Sequence, residues 1–221
     1  MPQLPEFASP QFIAIEGPIR VGKTSLADIL AERMGAVRLR DPEDNPFLES
    51  FYEDQPGAAF KVQMHFLLHR YQQFRNLDLA GNRQRPVVSD FLFEKDKIFA
   101  YVNLSDHELE LYSGYFAQFE EQSPLPDLVI YLQAKPEALR QRIAKKNFAR
   151  EREISDEYLE EVIKAYEHFF FHYKKSNLLV VDTSEIDFVD RNDDLRELLR
   201  RLSQPVQGTQ YYLPLGSAGA D

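Results

Sequence analysis

Residues 17–24 read Gly17-Pro18-Ile19-Arg20-Val21-Gly22-Lys23-Thr24, followed by Ser25, and match the pattern G-x-x-x-x-G-K-[ST]. Each residue type in that pattern serves phosphate binding. The glycines let the backbone curl so that successive N–H groups face a phosphate, and the N-terminus of the following helix adds its partial positive charge. Lys23 is placed to reach β- and γ-phosphate oxygens, and the Thr24 hydroxyl to bind Mg²⁺. At ordinary glycine usage the spelling arises by chance in about one chain in a hundred of this length. Here the context fits as well, because an apolar strand, Phe12 to Ile15, precedes the loop and an amphipathic run follows it. Nucleotide binding alone leaves kinase, GTPase, ATPase and sensor open.

A second carboxylate is needed near the metal, and two are offered. Asp90 ends the run Val87-Val88-Ser89, and Asp182 ends Val180-Val181. Both stand at the carboxyl end of a strand, where open α/β sheets place ligands. Farther on, Arg142, Lys145, Lys146, Arg150 and Arg152 put five cations within eleven residues. Such a group can close over a transferring phosphoryl group and stabilise its charge; the plainer reading is a solvated helix end. Two H-x-x-x-H pairs, His65/His69 and His168/His172, each place two rings on one helix face, and their aromatic surroundings favour packing or surface roles over zinc.

Five short apolar runs must position these groups: Phe12 to Ile15, Val37 to Leu39, Pro86 to Val88, Leu128 to Leu132 and Leu178 to Val181. They read as strands buried on both faces. Helical spacing fills the intervals: Thr24 to Met34, Ala58 to Ala80, Lys95 to Asn103, Asp106 to Glu121, Pro136 to about Lys146, a helix led by Ser155, and Arg191 to Leu202. Strands alternating with helices predict a parallel α/β sheet covered on both sides. The helix after Ser155 carries apolar residues on more than one side, which predicts a deep or interfacial position. The chain has 221 residues, and we read a flexible N-terminal segment, 1–11, one domain over 12–202 and a tail over 203–221. The formal charge of −10 argues against nucleic-acid polymers as partners. The lack of cysteine rules out disulfides and thiolate chemistry. With no secretory signal and no long apolar run in sight, the expectation is a cytoplasmic protein away from membranes.

From about Phe12 to Leu202 the chain resembles the deoxynucleoside kinase family, P-loop kinases that phosphorylate the 5′-hydroxyl of deoxyribonucleosides. The resemblance rests on Ile15-Glu16-Gly17 through Thr24, on Asp41-Pro42 with Asn45-Pro46-Phe47-Leu48 and Phe51-Tyr52, on the spacing of Phe60, Gln63 and Arg70, and on Pro126 to Leu132 before the basic segment. It implies a P-loop NTPase fold with a five-stranded parallel sheet, helices on both faces and a basic lid, in enzymes that are usually homodimers. It further implies ATP and Mg²⁺ as cofactors. Residue by residue, Asp41 takes the place of the carboxylate that accepts the hydroxyl proton, and Gln63 and Arg70 that of base contacts. Tyr52 and Glu151 fall where the sugar 3′-hydroxyl is held. Arg142, Lys146 and Arg150 match the lid, and Ile186-Asp187-Phe188 the loop around the ATP adenine. The resemblance also favours Asp90 over Asp182 beside the metal and substrate.

The family pattern is broken in several places. Asp41 replaces the usual Glu, and Arg20 stands where a small residue is commoner. Phe91 follows Asp90 where the family has Arg, leaving Arg20 or Lys95 to replace the missing cation. Lys146-Asn147-Phe148 stands where an Arg-Gly-Arg type segment is usual. The reading is an ATP-dependent deoxynucleoside kinase. Its rivals are a thymidylate kinase-like monophosphate kinase and a non-catalytic nucleotide-binding subunit of the same fold.

Overall fold

The structure, a computed structural model, describes residues 10–77, 85–146 and 154–214. The apolar runs form strands β1 (Phe12–Glu16), β2 (Val37–Leu39), β3 (Val87–Ser89), β4 (Leu128–Gln133) and β5 (Asn177–Asp182). A sixth strand, β6 (Thr209–Tyr212), follows them. All pair in parallel in the order β2-β3-β1-β4-β5-β6. The expected α/β architecture is present, with six strands where the resemblance implies five. The extra strand lies inside the segment read as a tail. Its pairing with β5 is made by the backbone, with the Leu178 N–H donating to the Gly208 carbonyl at 2.9 Å. An edge strand covered on one side carries a weak side-chain signal among Gln, Gly and Pro.

Side-chain alternation sorts the sheet into two cores. Ile13, Ile15, Ile130, Leu132, Leu179 and Val181 face helices α1 (Lys23–Met34), α6 (Pro136–Lys146) and α8 (Asn192–Leu202). Phe12, Ala14, Val129, Tyr131, Leu178 and Val180 face α3 (Ala58–Asn76), α4 (Lys95–Asn103), α5 (Asp106–Glu120) and α7 (Asp156–His172). The α7 helix gives Leu159 and Ile163 to the first core and Val162, Tyr166 and Phe170 to the second, which explains its broad apolar surface. The short α2 (Leu48–Tyr52) has too few turns to show a period.

Chain direction then fixes where a ligand can sit. From β1 the chain crosses to β2 on one side, and from β3 it crosses to β4 on the other. The crevice at the carboxyl end of β1, between these diverging connections, is the switch point of the sheet. Helix ends agree with this. The α5 helix has a capping box from Ser105 and Glu108, and Ser155 caps α7 through the Tyr158 N–H at 3.1 Å. The α1 helix begins at Gly22 with no side-chain cap, as α2, α3, α4 and α8 also begin, and its first-turn N–H groups follow directly on the loop after β1.

Candidate active site

The loop after β1 is anchored by a buried carboxylate. Glu16 Oε1 accepts from the Gly17 N–H and the Tyr166 hydroxyl, each at 2.9 Å, and Oε2 accepts from the Leu92 N–H at 2.9 Å. One side chain therefore ties the loop root to α7 and to the turn before α4. Both glycines are required by space. A Cβ on Gly17 would lie 2.2 Å from the Leu132 carbonyl oxygen, and one on Gly22 would lie 2.5 Å from the Phe188 ring. Gly22 also has φ 108, which side chains rarely adopt, and Arg20 takes the left-handed region at φ 59. Lys23 folds back, its Nζ donating to the carbonyls of Gly17 at 2.7 Å and Pro18 at 3.0 Å. Burial, helped by the nearby Lys95 ammonium, pushes Lys23 down to about 8.

Asp90 joins this loop to the acceptor side. Its Oδ2 accepts from the Thr24 hydroxyl at 2.8 Å, and its Oδ1 accepts from the Asp41 N–H at 2.6 Å. Arg38 on β2 pairs with Asp90 Oδ2 at 2.8 Å and, from its Nε, with Asp28 Oδ1 at 2.8 Å. Burial pushes the Asp90 carboxyl up, but Arg38, Thr24 and the Asp41 N–H outweigh it and hold it below the usual carboxylate range. Asp182 does local work instead, accepting from the Ser184 N–H at 2.8 Å.

The Asp41 carboxylate is clasped by two cations. Arg70 donates to Oδ1 from Nε at 2.9 Å and from Nη2 at 2.6 Å, and Lys95 Nζ pairs with Oδ2. Burial works against ionisation of Asp41, yet Arg70 and Lys95 prevail and hold it at about 2. Arg70 Nη1 also pairs with Asp96. Burial dominates at Asp96, pushing it up to about 6 against the pull of Arg70, and its Oδ2 has no hydrogen-bond partner among the described residues. Gln63 and Arg70 are both buried along α3, at 4% and 3% exposure, so the two resemblance-derived base contacts share the helix that carries the clasp. Asn45 holds the Asp41–Tyr52 segment against α3, its amide donating to the Val62 carbonyl at 3.1 Å. Phe91 is fully buried, its ring 5.4 Å from Phe74 and 5.6 Å from the Arg70 guanidinium carbon.

On the donor side, Phe188 lies over Gly22, and the Asp187 N–H donates to Asp194 at 2.8 Å. Arg142 is directed to this loop, its Nη1 donating to the Thr183 hydroxyl at 3.0 Å and Nη2 to the Ile186 carbonyl at 3.1 Å. It braces the 183–188 loop and is not turned toward residues 17–24. Lys145 pairs with Asp190. Lys146 ends α6, and Arg150, Glu151 and Arg152 lie outside the described residues. Tyr52 closes α2, half exposed. Three groups here were not assigned from the sequence. Arg38 was visible as a cation inside an apolar strand, whereas Asp96 looked like part of a solvated Lys-Asp-Lys run. Glu16 belonged to the quoted pattern without a role.

A glycine loop running straight into a helix start, a lysine folded back along it and a hydroxyl beside a carboxylate together fit a Mg²⁺-nucleotide. The family model described as "Deoxynucleoside kinase" matches residues 13–207. The chain belongs to the deoxynucleoside kinase family. It is 34% identical over 201 residues to a deoxyguanosine kinase of Bacillus subtilis, covering 88% of this chain and 97% of that one. It is 30% identical over 184 residues to a deoxyadenosine kinase of Dictyostelium discoideum, covering 80% and 74%. The fold matches that of a deoxyadenosine kinase from M. mycoides with bound dATP, with a TM-score of 0.72 and 26% identity over 87% of this chain and 100% of that one. The kinase is thus a phosphotransferase with ATP as the donor implied by its family, and the monophosphate-kinase and non-catalytic readings are not favoured. Among the described residues no helix is long and apolar enough to cross a membrane.

Proposed function

We propose that this kinase transfers the γ-phosphoryl group of ATP to the 5′-hydroxyl of a deoxyribonucleoside, with Thr24 and Asp90 the residues that would hold Mg²⁺. The observation that carries the reading is the double hydrogen bond of Asp90, to the Thr24 hydroxyl and the Asp41 N–H. One carboxylate thereby sets the donor loop at a fixed distance from the acceptor carboxylate, and phosphoryl transfer depends chiefly on such positioning and on charge. Lys23 and the N–H groups of residues 17–25 hold the phosphates, with Asp187 and Phe188 beside the donor base. Asp41 accepts the hydrogen of the acceptor hydroxyl. Mg²⁺, when bound, supplies charge neutralisation of the phosphates. Gln63 and Arg70 read the base edge, an amide and a guanidinium offering between them one acceptor and several donors. Tyr52 and Glu151 are assigned to the 3′-hydroxyl, and Lys146 and Arg150 to closure over the phosphates. The relatives named for deoxyguanosine, for deoxyadenosine and for deoxyadenosine with deoxycytidine support a purine or cytosine acceptor. Exposed Tyr101 on α4 and Leu111 and Tyr115 on α5 support a homodimer, and a sedimentation mass of one chain would refute it.

The test is ADP release from ATP and Mg²⁺ against the four deoxynucleosides, their ribo forms and dTMP. Turnover on deoxyguanosine, deoxyadenosine or deoxycytidine is expected, falling at least about a hundredfold in Lys23→Ala. Turnover on dTMP alone would establish the monophosphate kinase. Silence across the panel with ATP binding intact in calorimetry would establish the non-catalytic subunit.

A further inference from the structure

The cation that the family carries directly after its strand-end carboxylate is absent here, because position 91 is Phe and its ring is buried in the second core. An Arg at that position would have to displace the contacts with Phe74 and Arg70. A charge nonetheless reaches the Asp41 carboxylate from four residues farther along. Lys95 is the first residue of α4, nearly buried, and its Nζ pairs with Asp41 Oδ2. Its ammonium is also close enough to Lys23 for the two charges to repel. Lys95 therefore faces both the lysine of the phosphate loop and the carboxylate assigned to the acceptor hydroxyl.

Burial works against the Lys95 charge, but the Asp41 and Glu16 carboxylates outweigh it and hold the ammonium above the usual lysine range. A lysine in the first turn of a helix meets the positive end of the helix dipole, and burial removes its hydration. Arg70 divides its charge between Asp41 and Asp96, so Lys95 completes the balance of the cluster, and it does so from a place between the phosphate-loop lysine and the acceptor carboxylate. A nearly buried ammonium held charged at the meeting point of donor and acceptor is placed to act on the group that passes between them.

We propose that Lys95 is a catalytic residue of this kinase, the cation that contacts the transferring phosphoryl group between Lys23 and Asp41 in place of the arginine missing at position 91. The inference rests on the deoxynucleoside kinase reading above. In the step it serves, the 5′-oxygen forms a bond to the γ-phosphorus as the bond from that phosphorus to the β,γ-bridging oxygen breaks. The bridging electron pair leaves with ADP, and the hydroxyl proton passes to the Asp41 carboxylate. Charge builds on the oxygens of the phosphoryl group in flight, and an ammonium already held in a water-poor site needs no reorganisation to meet it.

The test compares wild type, Lys95→Met, Lys95→Arg and Lys95→Ala on the best nucleoside of the panel, with thermal melts and calorimetric ATP binding beside the kinetics. Wild-type turnover establishes the activity on its own, so failure of the two readings can be told apart. Lys95→Met is expected to lower kcat about a hundredfold while KM for ATP and for the nucleoside stays within about threefold. Lys95→Arg should retain kcat within about tenfold of wild type. Lys95→Ala should regain activity with added ethylammonium, following the protonated fraction of the amine, which a merely structural ion pair would not do. Retention of kcat within threefold in Lys95→Met overturns the proposal. If the neutral variants do not fold, Lys95→Arg decides alone: a kcat as low as that of Lys23→Ala overturns the proposal, and retention within tenfold supports it.

Discussion

At the scale of single residues the site is a set of balanced charges. Glu16, Asp41 and Asp96 stand against Lys23, Arg70 and Lys95, all buried or nearly so, with Asp90 and Arg38 as a separate pair. Deleting one charge from such a group leaves its partner buried and uncompensated, which costs about 3 to 5 kcal/mol. Asp41→Asn is therefore expected to destabilise the kinase by an amount in that range in urea titration and to lower kcat about a hundredfold. Asp41→Glu keeps the charge and should recover most of the stability. Equal urea midpoints for Asp41→Asn and wild type would show that the clasp contributes nothing to folding. Lys23 and Thr24 stand out in the sequence because they belong to a pattern whose chemistry is general, whereas Asp90 and Asp182 looked alike until the fold set Asp90 alone beside Thr24. Asp96 could not be separated in that way, since Lys95-Asp96-Lys97 spells an ordinary exposed charge run, and Lys95 stood only as an alternative to Arg20. Only the turn of α4 shows that the first two face inward while Lys97 reaches Glu120 at 2.9 Å.

At the scale of elements, five strands and most helices were legible because strands buried on both faces are continuously apolar and long helices show their period. The misses lie where those signals fail by construction. The α2 helix is five residues long, and β6 is an edge strand paired chiefly by its backbone. Tyr212 is the side chain of β6 that packs on the first core, while Tyr211 and Leu213 are exposed. The left-handed turn at Gly208, φ 64, and its N–H bond to Asn177 Oδ1 at 2.9 Å set the strand beside β5. Loss of this strand removes part of one tyrosine's burial and one ladder of hydrogen bonds, about 2 to 3 kcal/mol together. A chain ended at Ser203 is thus expected to melt about 4 to 12 °C lower than the full chain. Its kcat should stay within about threefold, because β6 lies at the sheet edge away from β1. A truncated chain melting with the full one would show that β6 adds no stability.

At the scale of the whole molecule, the two cores meet along β1, and the charged cluster lies where they open toward the crevice. A carboxylate in such a position is stable or unstable according to its neighbours, and two of them shift in opposite directions. Asp41, held at about 2 by Arg70 and Lys95 against burial, favours the folded state wherever an unfolded carboxyl is ionised, and that gain is lost only as pH falls from about 4 toward 2. Asp96, pushed up to about 6 by burial, behaves in the opposite sense. Between its ordinary value near 4 and about 6 the folded protein holds a proton that the unfolded chain has released, so stability falls as pH rises through that window and levels off above it. From pH 5 to 7.5 this single group should remove about 1 kcal/mol. Asp96→Asn keeps an acceptor for Arg70 and leaves Arg70 its pairing with Asp41, while abolishing the titration. Urea midpoints measured at pH 5 and 7.5 should therefore drop further in wild type than in Asp96→Asn, all other groups being common to both. Parallel behaviour of the two proteins across that interval would mean that Arg70 keeps Asp96 ionised throughout. The pair, not the burial of its carboxylate, would then govern how this end of the molecule responds to acid.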